Sequence, residues 1–197
     1  MTSIKAAPAT FELNRRQARS SVDDPLTRST GGPTIPPATT VVRAFSTTPT
    51  AHPLLAAAAG LATHHQLRAA AHQLTGDPDA DDHLVAAAAR TVNAADAACA
   101  VLIDRIDVWA ATELTECRAA ALHTESLGQL IDRLAELWMR WHLLNAGDHP
   151  VGREHARVVF QQLGELSTAY DDLISDLSRG RRRLPIHQIP SGPPLAA

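Results

Sequence analysis

Four side chains that can move protons or hold charge fall between positions 123 and 133: His123, Glu125, Asp132 and Arg133. Together they could form a small-ligand site. His123 would be a proton donor or ligand and Glu125 a base, with Arg133 an anion clamp paired with Asp132. They sit in the run His123-Thr124-Glu125-Ser126-Leu127-Gly128-Gln129-Leu130-Ile131-Asp132-Arg133-Leu134. Ser126 and Gln129 have the spacing of a capping box, which predicts a helix opening at this point. A glycine in its first turn costs about 1 kcal/mol against alanine, unless a close backbone approach or an exposed N-terminus is wanted. A helix N-terminus beside a histidine can receive an anion, but Glu125 already supplies negative charge there. The competing reading is a capped, buried helix carrying a structural ion pair.

On a helical wheel Leu127, Leu130, Ile131, Leu134, Trp138 and Trp141 share one broad face. Gly128, Ala135, Met139 and Leu143 make a second face that also carries Asp132. The solvated arc is left to Gln129, Arg133, Glu136 and Arg140, with Glu136 and Arg140 at ion-pair spacing. A helix apolar over so much of its girth is a central bundle helix. Asp132 at its semi-apolar edge needs a partner, because an unpaired buried carboxylate is costly. Arginines of neighbouring helices, or His142, are the candidates.

Other chemistry is more diffuse. Asn93, Asp96, Asp104 and Asp107 follow one another along a second helix, and with Asp132 they could line an acidic pocket for a metal or a cationic ligand. No glutamate has a histidine three residues later, so the di-iron bundle signature is absent. Asp79 and His83 are read as capping and solvation. His64 and His65, with His72 one heptad after His65, could put two imidazoles on one helix face for a metal, but beside Gln66 and Arg68 they are read as polar surface. Cys99 and Cys117 are too few and too far apart for a CxxC motif or a zinc knuckle, and are read as reduced thiols, at least one of them in the core. No residue is assigned to a metal, and no cofactor is assigned.

These residues need helices to position them, and the composition supplies helices. Apolar residues make up 45% of the 197, aromatics only 4%, and alanine dominates. Pro53 predicts the start of a helix that ends near Leu74, before Thr75-Gly76. Asp77-Pro78 predicts the start of a long one over about 79–111, with its apolar row at Val85, Ala89, Val92, Cys99, Ile103, Ile106 and Ala110. A short helix over 113–122, the capped helix to about Asn145 closed by Gly147, and a last helix from Pro150 to about Arg179-Gly180 complete the set. The fold class is therefore all-α: a bundle of four to five helices over 50–183. The Thr/Pro/Ser-rich stretch 1–49 and the end 184–197 show no apolar period and are expected to be disordered tails.

Net charge is -3, but the segment between residues 45 and 179 holds eight arginines against eighteen acids. An acidic body argues against a nucleic-acid face. Lys5 is the only lysine, which removes Schiff-base and P-loop chemistry from the bundle. No stretch approaches about 20 uninterrupted apolar residues, so no membrane association is expected. No apolar segment follows the first arginines, so the expected location is cytoplasmic.

Thr124-Glu125-Ser126-Leu127-Gly128 followed by Ile131-Asp132-Arg133-Leu134 resembles the T-E-[ST]-x-G-x-[IV]-[IV]-D-R-[LM] run of the bacterial domain-of-unknown-function family numbered 4254. Weaker matches are Leu102-Ile103-Asp104-Arg105-Ile106-Asp107-Val108-Trp109, Tyr170-Asp171-Asp172-Leu173 and Gly180-Arg181-Arg182-Arg183-Leu184-Pro185, which extend the likeness over about 52–186. Leu127 stands where family members often have proline. The resemblance implies an all-helical fold and a shared site in this motif, and it transfers no activity. Two functions follow. In one, the bundle binds a small ligand, as an enzyme or otherwise, at His123, Glu125, Asp132 and Arg133. In the alternative it is an interaction or scaffold module, a homodimer among its forms, with the motif structural and Trp109, Trp138 and Trp141 as anchors.

Overall fold

Proline at a first helical position and carboxylates or hydroxyls just before helices set the architecture locally. The structure, a computed structural model, describes residues 34–47, 51–75, 79–115, 117–146 and 150–185. Five helices occur among them: α1 (Ala38–Ala44), α2 (Pro53–Thr75), α3 (Asp82–Glu113), α4 (Leu127–Ala146) and α5 (Pro150–Ser178). Pro53 opens α2, and the Ala56 N–H donates to the His52 carbonyl at 3.0 Å. Asp81 caps α3 by accepting from the His83 N–H at 2.7 Å. Asp77-Pro78 and the closing Gly147 lie outside the described residues. The expected capping box at α4 is present: Ser126 N–H donates to Gln129 Oε1 at 2.9 Å, and Gln129 N–H to Ser126 Oγ at 3.2 Å. Gly180, at φ +64°, closes α5; its N–H donates to Leu177 O, while Arg181 N–H donates to Asp176 O.

The bundle is all-α, as its composition implies. α2 packs along α3 and α4 along α5, while α4 also touches both α2 and α3. The fully buried centre includes Leu54, Leu61, Ile106, Leu127, Ile131, Leu134, Leu163 and Tyr170. On α4 the buried side is Leu127, Gly128, Leu130, Ile131, Leu134, Ala135 and Met139, close to the two predicted apolar faces. On α3 the predicted row holds at Cys99, Ile106 and Ala110. Its first half instead buries Ala88 and Ala95, leaving Ala89 exposed.

Two expectations are corrected. Among the described residues of 113–122 no further helix occurs: α3 ends at Glu113, Leu114 turns extended, and Ala121–Leu122 (β1) pairs in parallel with Arg182–Arg183 (β2). That pairing joins positions about 60 residues apart, which local helix propensity cannot anticipate. The stretch 1–49 is not tail throughout, because α1 lies within it. Ile35, Ala38, Val41, Ala44 and Phe45 are buried, with α1 resting on α2, α4 and α5. The Tyr170 hydroxyl donates to Pro36 O at 2.9 Å, and Asp171 Oδ1 accepts from the Ala38 N–H at 2.8 Å. Burial holds the Tyr170 phenol well above its ordinary pKa, so it stays a donor. Residues 1–33 and 186–197, also assigned to tails, lie outside the described residues; Leu184 is partly buried against the core.

Tyr170→Phe leaves a buried carbonyl without its donor and should cost about 1–3 kcal/mol in urea unfolding. Unchanged stability would mean that this bond does not hold α1 in place.

Candidate functional site

α4 begins hard against α3. A Cβ on Gly128 would lie 2.5 Å from the Ile103 carbonyl oxygen and 3.0 Å from Asp107 Oδ1. The Gly128 N–H donates to that same Asp107 carboxylate at 2.7 Å. The glycine therefore serves a close backbone approach, one of the two uses its position allowed. At this helix end the Gly128 N–H is answered by a carboxylate from α3 and the Gln129 N–H by Ser126 Oγ, so negative charge is already supplied there.

The residues just before α4 form a compact charged turn. Arg133 Nη1 donates to both Glu125 oxygens at 2.8 Å, and His123 Nδ1 lies 2.9 Å from the Glu125 carbonyl oxygen. The His123 N–H donates to Arg183 O at 2.8 Å, tying the turn to β2. Arg133 therefore pairs with Glu125 and not with Asp132, as the sequence had suggested. Both partners of this pair are substantially exposed, so it contributes about 0.2–1 kcal/mol.

Asp132 points the other way. Its Oδ1 lies 2.8 Å from Nε2 of His65, on α2. Only 3% of His65 is exposed, against 23% of Asp132, so the polar surface expected for His65 is overturned. α2 is lined with alanine and leucine on nearly all sides and has no continuous polar face, which hides the buried position on a helical wheel. His142, the other candidate partner, stacks against Trp138 and Trp141 with centroids 4.1 and 4.6 Å away, and burial lowers its pKa.

Around the His65–Asp132 pair the three helices gather more polar groups. Arg68, one turn along α2, reaches Asp96 of α3 at 3.2 Å and Glu136 of α4 at 3.5 Å. Glu136 thus meets Arg68 in place of the Arg140 expected from spacing. Cys99, on α3, completes the cluster: donor atoms of His65, Cys99 and Asp132 all lie within 4.8 Å of one another. Burial pushes the Cys99 thiol up to about 11, with the Asp132 charge adding to the shift and Arg68 opposing it. The broader acidic pocket does not form. Asp107 caps α4, Asp96 holds Arg68, and Asn93 is exposed. Cys117 lies by Gly180, whose added Cβ would be 3.7 Å from Cys117 Sγ.

The structure thus divides the four predicted residues, with His123, Glu125 and Arg133 in one turn and Asp132 in another cluster with His65 and Cys99. The signal for the second cluster was the need of Asp132 for a partner. With this geometry in place, comparison with known families is decisive on one point. The profile of the family described as "Protein of unknown function (DUF4254)" matches residues 57–186. The chain belongs to the DUF4254 family. No curated protein and no solved structure matches it. The matched span of this DUF4254 chain runs from residue 57, inside α2, through α5, hence over both clusters, and leaves α1 outside.

Gly128→Ala should lower stability by about 1–3 kcal/mol in denaturant unfolding, because the new methyl meets backbone oxygen. A neutral result would mean that α3 and α4 can separate at no cost. Cys99 should resist iodoacetamide at pH 8 in the native chain and react once denaturant is added, since thiolate is the reactive form. Rapid native labelling of Cys99 would contradict its burial.

Proposed function

We propose that this DUF4254 chain is a small-ligand-binding helical bundle whose binding position is the cluster at Asp132, where α2, α3 and α4 meet. One observation carries the reading. His65 is buried, and its Nδ1 has no hydrogen-bond partner among the described residues. A buried polar atom left unsatisfied costs about 1–3 kcal/mol, a cost that an apolar side chain at this place would avoid. A carboxylate can only accept, so in the neutral imidazole the ring proton faces Asp132 from Nε2 and Nδ1 holds a lone pair. That lone pair calls for a proton donor or a cation.

The charge around it favours the cation. Asp96, Asp132 and Glu136 outnumber Arg68, and the partly exposed Asp132 opens the cluster towards solvent. On this reading Asp132 is the binding residue among the four that the sequence singled out. Glu125, Arg133 and His123 hold the start of α4: Glu125 and Arg133 are already paired, and His123 contacts the Glu125 backbone.

A second reading has its own observation. α3 is, by length and composition alone, apolar enough to cross a membrane, yet most of its apolar stretch lies outside the core. Leu84, Val101 and Val108 are exposed on it, as are Leu67 and Leu74 on α2. An exposed apolar row of this kind favours self-association of the bundle. Light scattering on the full chain, alone and as Val101→Arg, tests it. A dimer that becomes a monomer supports the interaction reading, and a wild-type monomer removes it.

Native mass spectrometry of the freshly purified chain tests the leading reading. A bound mass should be present, lost in Asp132→Asn and kept in Arg133→Gln. A bound mass that survives Asp132→Asn, or a wild-type chain that binds no small amine or metal ion offered to it, would overturn it.

A further inference from the structure

Within the ligand-binding reading, on which this inference rests, we propose that His65, Cys99 and Asp132 are a three-ligand site for a zinc-class divalent metal ion. The donors are one imidazole, one thiol and one carboxylate, each from a different helix, with donor atoms mutually within 4.8 Å. Zinc and cobalt bonds of about 2.0–2.3 Å to such atoms set the donors roughly 3.3–3.8 Å apart in a tetrahedron. The His65 Nε2–Asp132 Oδ1 separation of 2.8 Å is shorter than that, so loading replaces this hydrogen bond by two metal bonds. Nε2 is then the ligand atom: its proton shifts to the unpartnered Nδ1, so that a neutral imidazole binds the ion.

The donor set selects the metal. Thiolate favours zinc or cobalt over magnesium or calcium, which take oxygen ligands, while a mixed N, S, O set is what borderline ions accept. Loading releases the Cys99 proton, and thiolate plus carboxylate then balance a 2+ ion. Alternative places for a metal are weaker. Asp96 and Glu136 are more than half exposed and are engaged by Arg68. The groove of about 500 Å³ between α4 and α5 is lined by Arg133, Arg140, Glu136 and Glu165, without histidine or cysteine. His65, at 3% exposed and with an unpartnered ring nitrogen, sets the three-helix cluster apart from both. Three protein ligands leave one position, and the exposed side of Asp132 is where water or a ligand would reach it.

The test is titration of the chelator-treated full chain with Co²⁺, followed in the near ultraviolet for thiolate-to-cobalt charge transfer. One Co²⁺ per chain with that band is expected, and Zn²⁺ should displace it. The chain has only two cysteines, so Cys117→Ser with the band retained assigns it to Cys99 without disturbing the core. Cys99→Ser should abolish the band, and Asp132→Asn should weaken Co²⁺ binding by at least about tenfold. Absence of the band in the wild type, its loss in Cys117→Ser, or its survival in Cys99→Ser would overturn the proposal. A chain without the band that still carries an organic mass lost in Asp132→Asn overturns the metal and keeps the ligand-binding reading. A chain with neither overturns both.

Discussion

The backbone of α4 meets the backbone of α3 at a separation that only glycine permits. Ile103 O occupies the space where a side chain at position 128 would begin, and Asp107 reaches across to the Gly128 N–H. This contact sets the place and the rotation of α4. With the first turn pinned, Leu127, Leu130, Ile131 and Leu134 enter the core, while Asp132, one turn on from Gly128, faces α2. A bulkier residue at 128 would push α4 outward and draw Asp132 away from His65. The carboxylate of Asp107 also answers the positive end of α4, so the close approach is electrostatically favourable as well as sterically allowed.

Small side chains explain how a polar cluster can exist inside this bundle. α2 buries Ala57, Ala58, Ala59, Ala62 and Ala71, and α3 buries Ala88, Ala95 and Ala110. Alanine leaves the helices close together, so a functional group on one reaches the next without a long flexible chain. His65 can thus meet Asp132 directly, with Cys99 beside them. Arg68 stands at the rim between Asp96 and Glu136, where solvent shares the cost of charge. Charged pairs lie at the rim and the thiol and imidazole inside, an order that follows from desolvation.

The ends of the bundle are held by contacts between distant parts of the chain. α1 is only seven residues long and would not hold as a helix by itself. It gains its place from burial of Val41, Ala44 and Phe45 and from the hydrogen bonds that Tyr170 and Asp171 make at its start. At the other end, Arg182–Arg183 pairs with Ala121–Leu122, and Asp176 meets the side chains of Arg181 and Arg182. Two of the arginines that follow α5 are thereby paired within the fold.

What the sequence by itself determined is the set of local choices: proline at first turns, the Ser126–Gln129 box, glycine after α5, and apolar spacing along α4 and the second half of α3. Each depends on residues within one or two turns, so α2 to α5 could be read within a few positions of their ends. The demand of Asp132 for a partner was equally legible, since burying a carboxylate is costly wherever it happens. Which group meets that demand was decided only by the tertiary structure. On an alanine-rich helix such as α2 no wheel distinguishes the buried side, so His65 looked like surface until α3 and α4 packed over it. The pairing of Arg133 with Glu125, the docking of α1 and the strand pairing at β1 were also decided there. In each of them the stabilising partner comes from another element, or the chain direction that brings it within reach is set by packing and not by neighbouring residues.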